Sequence, residues 1–219
     1  MQIVETIDVK EAELFYESNR SRLFKGKSQK GDFILLKDDI TGEKGRLYNE
    51  AMLTEKVAFH DLNPQVLIYE GRQVIVRKFI PGKSLNKLIP ENGLELEDFL
   101  ILSIEVCKEL ARVHDKGLLH NDINPKNFII NLKSKKATLI DYEFATSMSS
   151  QSLVYDSKLK ITGTADYISP EQTGRMNRKI DQRSDLYGLG ASFYEMITGH
   201  PPFQSEDFVG MIHAHLAVT

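Results

Sequence analysis

The 219-residue sequence predicts an α+β fold, with a β-rich first third followed by a helical remainder. Three observations carry this. Apolar residues alternate in short runs before residue 78, and after residue 97 they recur at three- and four-residue spacing. The change falls in the stretch 78–84, around Pro81-Gly82. Alternation sends every second side chain to one face of a sheet, whereas the longer spacing lines up one face of a helix.

The β-like runs lie at 14–16, 23–25, 33–36, 66–69 and 74–76, separated by Gly, Asn and charged turns. One helix interrupts them over about 44–59, where Leu47, Glu50, Ala51 and Thr54 share a face. Beyond Gly82 a helix is predicted over 97–114, with apolar residues at 99, 100, 104, 107, 110, 111 and 113 and two acids in its first turn. Two short strands follow at 128–131 and 137–140, joined by the turn-like Lys133-Ser134-Lys135-Lys136. Residues 146–160 are Ser-rich and apolar-poor, the composition of a loop. A second helix runs over 185–198, stopped by Gly199 and Pro201-Pro202. The switch in pattern divides the chain into 1–80 and 81–219, with no internal repeat and no long linker.

Apolar residues make up 41% and charged residues 27%, the balance of an ordinary soluble protein. A net charge of -3 lacks the basic footprint of a nucleic-acid binder. No run approaches the roughly 18 apolar residues of a membrane span, and the first residues lack a secretion-signal layout. The expectation is a cytoplasmic protein without a membrane span or a nucleic-acid partner. Cys107, the only cysteine, excludes an intrachain disulfide and fits a reducing compartment. Its place in the periodic stretch 97–114 predicts a buried, inert thiol.

The residues that suggest chemistry follow one another in a set order. Phe33-Ile34-Leu35-Leu36-Lys37 is an apolar strand ending on a lysine, and Glu50 follows thirteen residues later. His120-Asn121-Asp122-Ile123-Asn124-Pro125-Lys126-Asn127 precedes an apolar strand. Leu139-Ile140-Asp141-Tyr142-Glu143 ends another strand on an acid, fourteen residues beyond Asn127. Ser169-Pro170-Glu171 comes next, and Arg183-Ser184-Asp185 opens the last predicted helix. Singly, Asp122 and Asp141 are equally readable as turn acids that cap local backbone.

Together these segments resemble the protein-kinase domain, with its V-A-I-K strand, H-x-D-x-x-x-x-N loop, D-F-G and A-P-E, over about residues 14–215. The stretch from Gly163 to Arg178 and the ending Gly199-His200-Pro201-Pro202-Phe203 are similar to the N-terminal kinase domain of large bacterial signalling proteins. There the kinase precedes an ATPase module and often a sensor histidine kinase. The resemblance implies a bilobal kinase fold with an N-lobe over 1–80 and a C-lobe over 81–219. It implies a Ser/Thr kinase that moves the γ-phosphoryl of Mg-ATP to a protein hydroxyl.

Phosphoryl transfer is mostly positioning and charge neutralisation, so it needs metal ligands, a phosphate-holding cation and an acid that orients the hydroxyl. By resemblance Asp122 takes the hydroxyl proton, and Asn127 and Asp141 hold Mg²⁺. Lys37 holds phosphate with Glu50 as its ion-pair partner, Glu55 being the competitor. Lys126 belongs to the nucleotide-binding set, and Thr164 matches the position that favours Ser or Thr acceptors. His120 is expected to pack rather than bind metal.

Several departures from the family pattern keep a pseudokinase open, a regulatory module that binds nucleotide or a partner without useful catalysis. Glu17-Ser18-Asn19-Arg20-Ser21-Arg22 stands where the glycine-rich loop belongs, leaving the Ser18, Asn19 and Arg side chains to contact phosphate. Glu143 replaces the glycine of D-F-G, adding an acid beside the expected metal site. Asn121 replaces an arginine, so activation by loop phosphorylation is not implied. The C-lobe is expected to be truncated, its last helices missing and Glu171 short of a partner, as in a fragment of a longer signalling chain.

Overall fold

The computed structural model describes residues 5–43, 45–58, 62–150, 164–176 and 178–217. Contacts divide the chain into two compact units, Met1–Ile80 with Asp141–Glu143, and Pro81–Ile140 with Phe144–Thr219.

The first unit is built on β1 (Lys10–Glu17), β2 (Ser21–Lys27), β3 (Phe33–Asp39), α1 (Arg46–Ala58), β4 (Gln65–Tyr69) and β5 (Arg72–Lys78). The strands form one antiparallel sheet in the order β1-β2-β3-β5-β4. Alternation decides what each face carries. Ile34 and Leu36 pack with Val74 and Val76 on one side. Their neighbours go to the other side, where Ile75 packs on Leu47 and Ala51 of α1. Lys37 stands opposite Ile75 in the register and is therefore delivered to the α1 face. In the edge strand β1, Leu14, Phe15 and Tyr16 are all more than half exposed, since only β2 covers it.

The second unit contains β6 (Lys83–Ser84), α2 (Leu96–Asp115), β7 (Leu118–Leu119), β8 (Phe128–Ile130), β9 (Ala137–Leu139), β10 (Thr146–Ser147), α3 (Gln182–Thr198) and α4 (Phe208–Ala217). Strands β6, β8 and β9 form one small sheet, and β10 pairs with β7. Helix α2 packs on α3, where the Phe99 and Phe193 rings meet edge to face at 5.8 Å. Leu110, Val113, Phe128, Ile130, Leu139 and Met196 are essentially inaccessible. No helix among the described residues is long and apolar enough to cross a membrane.

Three expectations are corrected. Cys107 is exposed. Helix α2 carries two apolar stripes, and the core takes Leu102, Val106, Leu110 and Val113, leaving Leu100, Ile104 and Cys107 outside. The predicted loop at 146–160 begins with strand β10 and a 3-10 turn at Met148–Ser150; residues 151–163 lie outside the described residues. Glu171 is not without a partner, because Ser184 Oγ donates to its carboxylate. Helix α4 was not anticipated.

Helix α3 begins three residues earlier than periodicity indicates. Asp181 caps it, its side chain accepting the Arg183 N–H at 2.9 Å. It ends as predicted on Gly199, whose φ of 85° suits the left-handed cap. A Cβ there would lie 2.0 Å from the Glu91 carbonyl oxygen. Gly199→Ala is therefore expected to cost about 1–3 kcal/mol, a melting shift of roughly 2–12 °C. Gly190→Ala, at an exposed helical position with open space around it, is expected to be neutral or stabilising. Equal thermal melts for the two variants would contradict this account.

Candidate active site

In the first unit, side chains from two other segments, α1 and the stretch 141–143, converge on Lys37. Its Nζ lies 2.8 Å from Glu50 Oε1 and 2.7 Å from Asp141 Oδ1. The Lys37 and Glu50 side chains are each 7% exposed, against 39% for Asp141. Glu50 is positioned by the face it shares with the buried Leu47, Ala51 and Thr54, whereas Glu55 is exposed.

Burial opposes charge on both members of this pair. For Lys37 it is outweighed by Asp141 and Glu50, which hold the ammonium above its ordinary range. Burial pushes Glu50 up to about 7, with Asp141 and Glu143 adding to the push and Lys37 resisting it. Lys37 is thus the firmly charged partner.

Glu143 has a side chain only 6% exposed and lies among cations. It takes a hydrogen bond from Arg20 Nε and lies 3.2 Å from Arg46 Nη2 and 3.5 Å from Lys37 Nζ. Glu50, Asp141 and Glu143 can each present one oxygen within 4.8 Å of the others. Glu50 Oε2 is buried without a hydrogen-bond partner among the described residues. With Glu143 taken up by Arg20 and Arg46, the hard oxygens of Asp141 and the unsatisfied Glu50 Oε2 are the donors here that fit a small divalent cation such as Mg²⁺.

Ser18 and Asn19 lie in the β1–β2 turn. Ser18 Oγ accepts the Arg20 and Ser21 N–H groups at 3.2 and 3.1 Å, and the Ser18 N–H donates to Ser21 O at 3.0 Å. Asn19 is exposed.

In the second unit, Asp122 is held by three donors. Its carboxylate accepts from Thr164 N at 2.7 Å, Asn127 Nδ2 at 3.0 Å and Asn124 Nδ2 at 3.1 Å. Asn124 also caps the 3-10 turn Pro125–Asn127, its side chain accepting the Lys126 N–H. That turn fixes Asn127, whose amide nitrogen is committed to Asp122, so a cation can only be met by its oxygen. Lys126 is exposed.

Behind Asp122 the chain is locked by Asp185, which is 1% exposed. It accepts the N–H groups of His120 at 2.9 Å and Asn121 at 2.8 Å, and His114 Nε2 lies 2.8 Å away. Asn121 adopts φ of 63°, a left-handed conformation that asparagine tolerates well. Its side chain donates to Phe144 O and Thr146 Oγ1. His120 is fully buried with Nε2 3.2 Å from Ile140 O.

The structure thus brings Lys37, Glu50 and Asp141 together in one unit, and Asp122 and Asn127 together in the other. Sequence reasoning missed Asn124, Asn121 and Asp185 as supports. An asparagine directly before Pro125 was a readable cap signal, whereas nothing local announces the long-range bonds of Asp185.

The sequence matches a family model described as "Protein kinase domain" over residues 36–217. It is 32% identical over 144 residues to the "Probable serine/threonine-protein kinase PknB" of Corynebacterium glutamicum, an alignment covering 65% of this chain and 22% of that protein. A "Probable serine/threonine-protein kinase" of Clostridium perfringens is 34% identical over 143 residues, covering 65% and 20%. One from Streptomyces coelicolor is 29% identical over 167 residues, covering 73% and 24%. The chain spans about a fifth to a quarter of the length of these relatives. With most of its residues inside the family match, and the lysine, glutamate, aspartate and asparagine positions in the family's order, the chain belongs to the protein kinase domain family.

Proposed function

We propose that the chain is the catalytic part of a Ser/Thr protein kinase that transfers the γ-phosphoryl group of Mg-ATP to a protein hydroxyl. The observation that carries this reading is Lys37 held between Glu50 and Asp141 at 2.8 and 2.7 Å. A buried lysine kept charged by two carboxylates from distant segments is a ready phosphate contact. Its relatives' names support the class of reaction.

Mg-ATP supplies the phosphoryl group and neutralises much of its charge. The chain's own residues do the rest. Lys37 binds phosphate oxygens, and Glu50 fixes the direction of its ammonium. Asp141 and the Asn127 oxygen are the metal ligands. Asp122 orients the acceptor hydroxyl and takes its proton as the new oxygen–phosphorus bond forms and the γ-phosphorus bond to the β-phosphate oxygen breaks, releasing ADP; its three donors keep the carboxylate in one orientation. Thr164, on the same carboxylate, favours Ser or Thr acceptors. Ser18, Asn19 and Lys126 are further nucleotide contacts. Residues 1–80 act as the N-lobe and 81–219 as the C-lobe of a cytoplasmic kinase in bacterial signalling, attached to other signalling modules of a longer chain.

Lys37→Met tests the reading. ATP affinity is expected to fall at least about tenfold, the value of one charge-assisted contact, while the fold persists. Glu50, already pushed up to about 7, takes a proton once its partner is gone, which limits the cost of burying it. Calorimetric titration with Mg-ATP measures the first half and a thermal melt the second. Unchanged affinity and transfer would assign the phosphate contact to another lysine. In a non-catalytic binding module, Mg-ATP binds but labelled phosphate never reaches a protein acceptor.

A further inference from the structure

We propose that Arg20 and Arg46 bind the nucleotide's phosphates, and that the Glu143 carboxylate competes with phosphate for these two arginines. This rests on the reading of the site as one for Mg-ATP and adds contacts that the glycine-rich loop supplies elsewhere in the family.

Three backbone N–H groups of the turn between β1 and β2 are already engaged within the turn. The N–H of Ser18 is bonded to Ser21 O, and those of Arg20 and Ser21 to Ser18 Oγ. Side chains are therefore the main phosphate contacts this turn can offer. Arg20 supplies a guanidinium, with its side chain 33% exposed and directed at Glu143.

Arg46 is the second cation, and its position is unusual. It is the first residue of α1, whose first turn holds no acid. The N-terminal end of a helix favours anions and disfavours cations. The Arg46 side chain is nonetheless 6% exposed there, and its Nε and Nη1 have no hydrogen-bond partner among the described residues. Its Nη1 is ion-paired with Asp39 Oδ1 at 3.3 Å and its Nη2 donates to Arg20 O at 3.4 Å, which leaves Nε as a donor without any partner among the described residues. A buried guanidinium that is held by acids, at a helix end that itself attracts negative charge, is a site for an anion.

Glu143 fills that role in the structure. One carboxylate receives Arg20, Arg46 and Lys37 together. Arginine forks donate to carboxylate and phosphate oxygens in the same planar, two-pronged geometry. The side chain that stands where the family has glycine thus occupies the cations that a phosphate group would use.

The test is calorimetric titration of Mg-ATP and of adenosine into the wild type, Arg20→Ala and Glu143→Gln. Arg20→Ala is expected to weaken Mg-ATP by about tenfold and to leave adenosine unchanged, since adenosine has no phosphate. Glu143→Gln keeps the shape but removes the competing charge, so Mg-ATP is expected to bind several-fold tighter. Wild-type binding of Mg-ATP that neither substitution alters overturns this proposal alone. Weaker Mg-ATP binding by Glu143→Gln also overturns it, by making Glu143 a metal ligand instead of a competitor. Failure of all three proteins to bind Mg-ATP removes both this proposal and the nucleotide reading beneath it.

Discussion

Asp122→Asn is expected to bind Mg-ATP like the wild type and to transfer phosphate at least about a hundredfold more slowly, the lower range of what a positioned general base contributes. Asparagine keeps the shape and can still accept the Thr164 N–H through its oxygen. It cannot take the hydroxyl proton. Binding is read by melting: ATP at a hundred times its Kd stabilises by about 2.7 kcal/mol, roughly 5–11 °C for a chain of this size. Asp141→Asn is the contrast: as the proposed metal ligand, its loss is expected to remove most of that shift. Transfer of labelled phosphate by Asp122→Asn at the wild-type rate would sink the assignment of the base even with the fold intact.

Asp185→Ala is expected to have the largest effect on stability. The residue is almost inaccessible, and its carboxylate satisfies two backbone N–H groups and faces His114. Removing it strands the His120 and Asn121 amides in a place water does not reach. Breaking a buried charged network of this kind costs about 3–5 kcal/mol, a melting drop of roughly 6–20 °C. Because Asn121 immediately precedes Asp122, the loss should also slow transfer, in a variant that still binds ATP. A melting change below about 2 °C would mean the two amides find other partners, and the described role of Asp185 would be wrong.

Much of this arrangement was legible in the residues. The alternation through β3 placed Lys37 on the face opposite Ile34 and Leu36, and the spacing in α1 put Glu50 with Leu47 and Ala51. Both patterns are local, and both were borne by side chains that must be buried. The stop of α3 at Gly199 was equally local.

What was not legible depended on what lies across the fold. In α2, Leu100, Ile104 and Cys107 are as regularly spaced as Leu102, Val106 and Leu110, and periodicity alone cannot say which stripe meets the core. Glu143 could be seen as a missing glycine, but its pairing with Arg20 joins residues 123 apart. The Asp185 bonds to His120 and Asn121 span 65 and 64 residues. No window of sequence holds both ends of such contacts.

The exposure of Cys107 has a practical outcome for anyone handling the protein. As the sole sulfhydryl, it is the only point at which two molecules can be joined by a covalent S–S link. Partial burial lifts its ionisation above the usual range, so little of it is nucleophilic at neutral pH and coupling is slow. In air without reductant, dissolved dioxygen takes two electrons from a pair of Cys107 thiols, their two protons are released and the S–S bond forms, so a linked pair builds up gradually. On a sizing column that species mimics self-association, and dithiothreitol or Cys107→Ser abolishes it.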